Sequence, residues 1–315
     1  MLRSLALISL TALAFESILA GQFTLRVGVD LVNVLFSVTD RNGRFVPGLG
    51  PEDFRVEEDG EPQEIRYFAS EDELPLTLAL LVDTSPSVED VFQEEKRAAT
   101  GFLETILRPQ DLALVIGFER SVTLFQDFTE NTGLLGGAID ALEIGSGTSI
   151  YDAVMLASKE RLRPEAGRKA IILISDGEDT TSQTSRTDAL VAAHQADAII
   201  YSISNVYGRR GVFGGRTGTG DIRTLERFSE ETGGAVYELE RDARFEDIFN
   251  QIAEELRNQY SLGYYSTNAA QDGEYRKVEI VPLNRDYRVR ARQGYYAPFG
   301  TNEGQPVATE EGEDR

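Results

Sequence analysis

From Gln22 to Ala69 apolar residues recur with a period close to two. Val27, Val29, Leu31, Val34, Phe36 and Val38 lie in largely alternating, β-branched sequence, interrupted at Asp40-Arg41-Asn42-Gly43. That alternation predicts strands with one buried face, and the polar break predicts a turn. A second unit places Phe54 and Val56 before Glu58-Asp59-Gly60, then Ile65, Tyr67 and Phe68 after it. Asp-Gly between two such runs is a strong hairpin signal, because the tight turn needs positive φ at its centre.

At Pro75 the pattern changes. Leu76 to Val82 is a continuous apolar run, which suits a strand covered on both faces in a parallel sheet. Val88, Phe92, Ala99, Phe102, Leu103 and Ile106 then recur at helical spacing, and Pro109 closes that helix. The alternation continues through strands at Leu112–Phe118 and Val122–Phe128, helices at Leu134–Leu142 and Ile150–Leu162, and a strand at Ala170–Ile174. A helix at Thr187–Gln195, a strand at Ala198–Ser202, a helix at Ile222–Glu231 and a strand at Ala235–Leu239 follow. The last helix presents Phe245, Ile248, Phe249, Ile252 and Leu256 on one face. Strands alternating with helices of this length predict an α/β fold with a doubly wound, mostly parallel sheet.

After Asn258 the period returns to two, with Tyr260, Leu262 and Tyr264, then Tyr275, Val278 and Ile280, then Tyr287, Val289 and Ala291. Three strands make a poor independent domain. They are therefore expected to join the N-terminal strands in one antiparallel β unit, with the α/β domain inserted between its halves. The expected divisions are a leader at 1–20, N-terminal strands at 21–72, the α/β domain at 73–257, C-terminal strands at 258–298 and a disordered Gly- and Glu-rich tail at 299–315.

The leader rests on Arg3 followed by the apolar run Leu5 to Phe15 and then small residues, the pattern of a secretory signal. Cleavage after Ala12-Leu13-Ala14 or after Ile18-Leu19-Ala20 fits, and the run is short for a bilayer span. An exported protein is expected, periplasmic, surface-held or secreted, with no stable membrane span after cleavage. Charge narrows the partners. The 315 residues carry 31 Lys+Arg against 53 Asp+Glu, a net charge of −22. That balance argues against nucleic acid, whose phosphates need clustered cations, and against anionic lipid. Cysteine is absent and there is one histidine, which removes disulfides, thiol catalysis and His-cluster metal sites. Any chemistry must be carried by oxygen.

Oxygen ligands gather at predicted strand ends. The first buried strand runs into Asp83-Thr84-Ser85-Pro86-Ser87, and a later one into Ser175-Asp176-Gly177. Between them Gly145-Ser146-Gly147-Thr148 precedes a helix. Sites in doubly wound sheets lie at the carboxyl ends of strands, and hard oxygens there suit magnesium or manganese. Asp83-x-Ser85-x-Ser87, Thr148 in Gly-Thr-Ser-Ile-Tyr-Asp and Asp176 in Ser-Asp-Gly resemble the metal-ion-dependent adhesion site of von Willebrand factor type A domains. The resemblance spans roughly Pro75 to Arg257. It implies a Rossmann-like sheet holding one Mg²⁺ or Mn²⁺, with Ser85 and Ser87 as direct ligands and Thr148 direct or through water. Asp83 and Asp176 would act mostly through waters, and one position would stay open for a Glu or Asp carboxylate of a partner protein. Pro86 stands where that family often has Gly. Flanking stretches, Phe45-Val46-Pro47-Gly48-Leu49 with Glu52 to Val56 and the closing Val289 to Tyr296, resemble a bacterial subfamily of these proteins.

The expected function is an exported, non-enzymatic adhesion module. A metal-dependent hydrolase is the alternative enzyme reading, disfavoured by the lack of a second carboxylate set, a Lys-bearing phosphate loop or an available His. A scaffold that binds through its β unit and keeps a vestigial metal site is the third. Glu178 and Asp179 read as a solvated acidic loop, His194 as a surface or packing residue, and Asp152 as a carboxylate favoured near a helix start by the dipole. The pairs Tyr264-Tyr265 and Tyr295-Tyr296 read as sheet packing. The segment 206–221, with six glycines and Arg209, Arg210 and Arg216, is either a flexible connection or a partner contact.

Overall fold

The computed structural model describes residues 31–70, 74–205, 221–239 and 244–298. The leader, the strand residues before Leu31, most of the Gly- and Arg-rich segment and the tail lie outside them. Eight strands come from the two ends of the chain. β1 (Leu31–Thr39), β2 (Phe54–Glu58), β3 (Glu61–Gln63) and β4 (Ile65–Ser70) precede the α/β unit, and β11 (Gln259–Tyr265), β12 (Tyr275–Pro282), β13 (Arg288–Ala291) and β14 (Gly294–Tyr296) follow it. N- and C-terminal strands are interleaved in one antiparallel β unit, as expected, and that unit is built of two sheets. One has the order β13-β1-β11-β4 and the other β14-β12-β2-β3. The fourth C-terminal strand, β14, is the addition: Gly294 lies so close to the Arg276 carbonyl that a side chain would clash there, and three residues are too few to show a period.

Between the sheets lie Val34, Phe36, Phe54, Val56, Tyr260, Leu262, Tyr264, Val278 and Ile280. Phe36 packs edge-on against Phe54 with ring centroids 5.1 Å apart, and Tyr260 and Phe68 lean on the same cluster. The Asp59-Gly60 turn between β2 and β3 has φ of 51° and 86° at its two residues, the positive pair a two-residue hairpin demands. Tyr264 is fully buried, and its hydroxyl and that of Tyr295 both donate to the buried Glu58 carboxylate, at 2.8 and 2.9 Å. Those tyrosines are packing residues, as expected.

The inserted unit centres on a six-stranded sheet. Its strands are β5 (Leu76–Asp83), β6 (Leu112–Phe118), β7 (Val122–Thr129), β8 (Arg168–Ser175), β9 (Ala198–Ser204) and β10 (Val236–Glu238), in the order β10-β9-β8-β5-β6-β7. All neighbours are parallel except β6 and β7, a hairpin at the edge. β5 sits inside, buried along its whole length. Leu78, Leu80 and Val82 face α1 (Phe92–Ile106), α2 (Thr132–Asp140) and α6 (Phe245–Arg257). Ala79 and Leu81 face α3 (Ile150–Met155), α4 (Arg186–Gln195) and α5 (Ile222–Thr232). The expected helix over Ile150–Leu162 changes character inside: α3 continues as a π-helical segment from Leu156 to Leu162. No helix among the described residues is long and apolar enough to cross a membrane.

The two units meet through polar contacts on α6. Glu255, 2% exposed, accepts hydrogen bonds from Ser37 of β1 at 2.9 Å, Tyr237 of β10 at 3.2 Å and Arg290 of β13 at 2.7 Å. Arg168, at the foot of β8, donates to the carbonyls of Leu74 and Leu256. A buried charge needs its partners. Glu255→Gln is expected to lower stability by about 2 kcal/mol, since the amide faces Arg290 with weaker acceptance and a competing donor. Urea unfolding of the two proteins measures it.

Candidate metal centre

Five oxygen-bearing residues sit on three loops at the carboxyl edge of the sheet. Asp83 ends β5 and Ser175 ends β8, and the parallel register that pairs Val82 with Ile174 brings these two side by side. Ser175 Oγ donates to Asp83 Oδ2 at 2.6 Å, and the Ser85 backbone N–H donates to Asp83 Oδ1 at 2.8 Å. Asp83 is fully buried, Ser85 is 3% exposed, and the Ser85 and Ser87 hydroxyls lie 2.8 Å apart, with Ser87 open to solvent. Pro86 begins a short 3₁₀ turn, Pro86–Val88, where a fixed φ is tolerated and no donor is lost from a regular helix.

The second loop is tied to the first by the Gly145 N–H, which donates to the Thr84 carbonyl at 2.8 Å. Its backbone turns at Gly147, with φ of 79°, and delivers Thr148, 5% exposed, two residues before α3. The third loop is tied to the second. The N–H groups of Thr180 and Thr181 donate to the Thr148 carbonyl, Thr180 Oγ1 accepts from the Thr148 N–H, and the Ser149 and Thr181 hydroxyls lie 2.7 Å apart. Asp176, 4% exposed, opens this loop and accepts the Glu178 N–H. Gly177 takes φ of 84°, and a Cβ there would lie 2.4 Å from the Asp221 carbonyl oxygen. Glycine is required at that point by both backbone and neighbour. The three loops close a ring of hydrogen bonds: first to second, second to third, and third back to first through Ser175.

The electrostatics of the ring are unbalanced. Burial pushes the Asp83 carboxyl up to about 6 against the hydrogen bonds it accepts, and the nearby Asp176 adds to the rise. Beneath it Glu95 of α1 is completely buried and is pushed up to about 8 by that burial, lowered somewhat by a hydrogen bond from Asn205 and raised again by Asp83. Among the described residues no Lys or Arg forms an ion pair with Asp83, Asp176 or Glu95. Nor do three His, Cys, Asp or Glu side chains converge on one point among those residues. The donor set is two carboxylates with three hydroxyls, hard, and without a compensating positive charge. A divalent cation of magnesium type fits that chemistry.

Neighbouring acids have other occupations. Asp179 accepts from the Ser182 hydroxyl at 2.6 Å and from the Tyr151 N–H. Asp152 sits in the first turn of α3 and also accepts the N–H groups of Gln183 and Thr184, pinning the third loop to α3. Glu95 and Asn205 escape a motif search. The available signal is that Glu95 lies three residues after Phe92 and four before Ala99, on the apolar face of α1. His194 is 5% exposed and packs against Tyr275 and Tyr296, well away from this edge.

The family model of the von Willebrand factor type A domain matches residues 78–178, a range that contains all five oxygen-bearing residues. The chain is 22% identical over 270 residues to inter-alpha-trypsin inhibitor heavy chain H4 of Bos taurus, and 23% identical over 276 residues to that of Homo sapiens. These alignments cover 80% and 82% of this chain but span only 26% and 27% of the relatives' length. Similar solved structures include an aerotolerance-related membrane protein from Bacteroides fragilis, at 17% identity and a TM-score of 0.48 over 57% of this chain and 98% of that one. Another is proximal thread matrix protein 1 from the mussel byssus with its MIDAS motif occupied by zinc, at 17% identity and a TM-score of 0.48 over 62% and 48%. The family match lies inside the α/β unit, and the sheet order and strand-end loops of that unit are in keeping with a von Willebrand factor type A domain.

Proposed function

We propose that this chain is an exported, non-enzymatic protein-binding module. It holds one divalent cation, Mg²⁺ or Mn²⁺, at Asp83, Ser85, Ser87, Thr148 and Asp176, and presents that cation to a Glu or Asp side chain of a partner protein. The observation that carries the reading is the hydrogen-bonded ring of three loops around two buried carboxylates that no cationic side chain neutralises. A bound cation supplies the missing charge and an electrophilic contact for a carboxylate. The chain's part is to hold the oxygens in place. Ser175 and the Ser85 N–H orient Asp83, the Thr180 hydroxyl fixes the backbone at Thr148, and Gly177 turns the chain after Asp176. The one histidine lies elsewhere, so no imidazole base attends the site.

Calorimetric titration of the full chain with MgCl₂ and MnCl₂, beside Thr148→Ala, tests the site. Binding by the parent that weakens at least about tenfold in the variant, as loss of a charge-assisted contact implies, supports it; equal binding rejects it. Partner capture from an extracellular protein fraction tests the rest. Retention lost in EDTA and restored by Mg²⁺ is the expected result, while retention indifferent to EDTA rejects a metal-bridged contact.

A further inference from the structure

Beside the three oxygen-bearing loops, between the β6–β7 hairpin and the chain that leaves α2, runs a groove of about 460 Å³. Its lining shares residues with those loops. Thr84 stands between Asp83 and Ser85, and Ser146 is two residues before Thr148, at most about 7 Å along the backbone. A group bound in the groove is therefore a close neighbour of anything held at the loops.

The groove has an apolar floor and acidic walls. Phe125 of β7 is 38% exposed, and its ring lies against β6 at Gly117, where a Cβ would sit 2.8 Å from it. Glycine there is what lets the aromatic face form the floor, and half-buried Ile144 continues it. Glu119, in the turn of the hairpin, stands on one wall. Its carboxylate accepts the Ser146 N–H and the Ser121 hydroxyl, each at 2.9 Å, and a Cβ on Gly145 would lie 2.7 Å from its side chain. These hydrogen bonds, the Ser146 N–H foremost, hold the Glu119 carboxyl down at about 2, so it stays charged; they fix it in place without neutralising it. Glu143, exposed, lines the groove as well. Among the described residues no Lys, Arg or His lines the groove, and neither glutamate forms an ion pair. An aromatic face beside two uncompensated carboxylates matches a long aliphatic stem that ends in a cation.

We propose that this groove receives an arginine or lysine of the same partner whose carboxylate meets the metal, with the stem over Phe125 and the cationic head at the Glu119 and Glu143 carboxylates. The partner is then read by an acidic and a basic residue a few positions apart. The charge of the whole chain favours such a ligand. At a net −22 it repels a uniformly acidic surface, and a basic residue beside the metal-seeking carboxylate offsets that repulsion and fixes the register. The two-point contact rests on the metal reading above, whereas the cation subsite does not and is tested apart from it.

The probe for the subsite is n-butylguanidinium chloride, added to the full chain in EDTA and set against sodium chloride at matched ionic strength. Saturable shifts of the Ser121, Phe125 and Ser146 amide signals in an assigned NMR spectrum are expected. Glu143→Gln, an exposed change outside the hydrogen-bonded ring, is expected to weaken the response about threefold, the worth of one exposed ion pair. A response that does not saturate, that sodium chloride reproduces, or that Glu143→Gln leaves unchanged overturns the subsite. The probe for the two-point contact is a set of peptides, each with one arginine and one glutamate separated by up to three glycines, in MgCl₂. At least one is expected to bind about tenfold more tightly than butylguanidinium, because the second group is held at high local concentration, and to lose that gain in EDTA. No gain at any spacing overturns the two-point contact, and the Mg²⁺ calorimetry above says whether the metal reading falls with it. A gain that EDTA and Thr148→Ala both leave intact rejects the metal reading and keeps the subsite.

Discussion

Asp83→Asn is expected to abolish the part of this protein's stability that depends on a divalent cation. A ligand that binds only the folded state stabilises it by about 2.7 kcal/mol at one hundred times its dissociation constant. For a domain of this size that raises the melting temperature by several degrees. The parent should therefore melt higher in Mg²⁺ than in EDTA, and the variant at one temperature in both. The direction of the effect in EDTA is equally informative. Asp83 is fully buried, accepts only hydrogen bonds, and faces Asp176 with no cation from the chain. An amide of the same shape keeps an acceptor for the Ser85 N–H, can donate to the Ser175 hydroxyl once that hydroxyl rotates, and drops the desolvated charge, so the metal-free variant should be at least as stable as the metal-free parent. An Asp83 that served only to hold loops together would show the reverse, lower stability in EDTA and the same small change in Mg²⁺.

Much of this architecture is legible in the chain because the α/β unit repeats a simple rule. β5 reads as a buried strand since both of its faces carry apolar residues, and α5 and α6 read as helices since their apolar stripes recur every three to four residues. The three oxygen-bearing loops are legible for a different reason: their polar residues interrupt apolar strands at the carboxyl ends, where a doubly wound sheet gathers its ligands. What escapes depends on partners far away in the chain. Glu95 meets Asn205 across 110 residues, and Ser37 meets Glu255 across 218; no local pattern links either pair. β14 exists only because Gly294 admits the β12 backbone. The π-helical stretch after Met155 leaves the apolar spacing of its helix almost unaltered, so periodicity does not show it. Arg292 reads as one residue of an alternating strand tail, and its engagement of Asp197 and Asn33 appears only when both halves of the β unit are assembled on the α/β unit.

The buried His194 shapes the response of the fold to acid. His194 is held neutral: burial lowers its pKa to about 4, the Arg292 charge adds to the fall, and Asp197 opposes it. In the unfolded chain the imidazole titrates near 6.5. Between those values the unfolded state binds the proton and the folded state does not, so stability falls as pH falls. The contribution is fully present above 6.5 and is lost as pH drops through 4, amounting to about 3 kcal/mol by pH 4. Asp83 and Glu95 work in the opposite sense. Their folded pKa values are raised, so the folded state takes up protons first and gains stability as pH falls toward the unfolded carboxylate range. The parent's stability curve mixes these terms with every surface carboxylate, and its shape alone cannot isolate the histidine. The difference between parent and His194→Gln can, because the variant changes only the imidazole term. Urea unfolding in chloride buffers at pH 7 and pH 4 should show the parent losing about 3 kcal/mol more than the variant over that interval. Equal losses would mean that His194 is protonated in the folded protein.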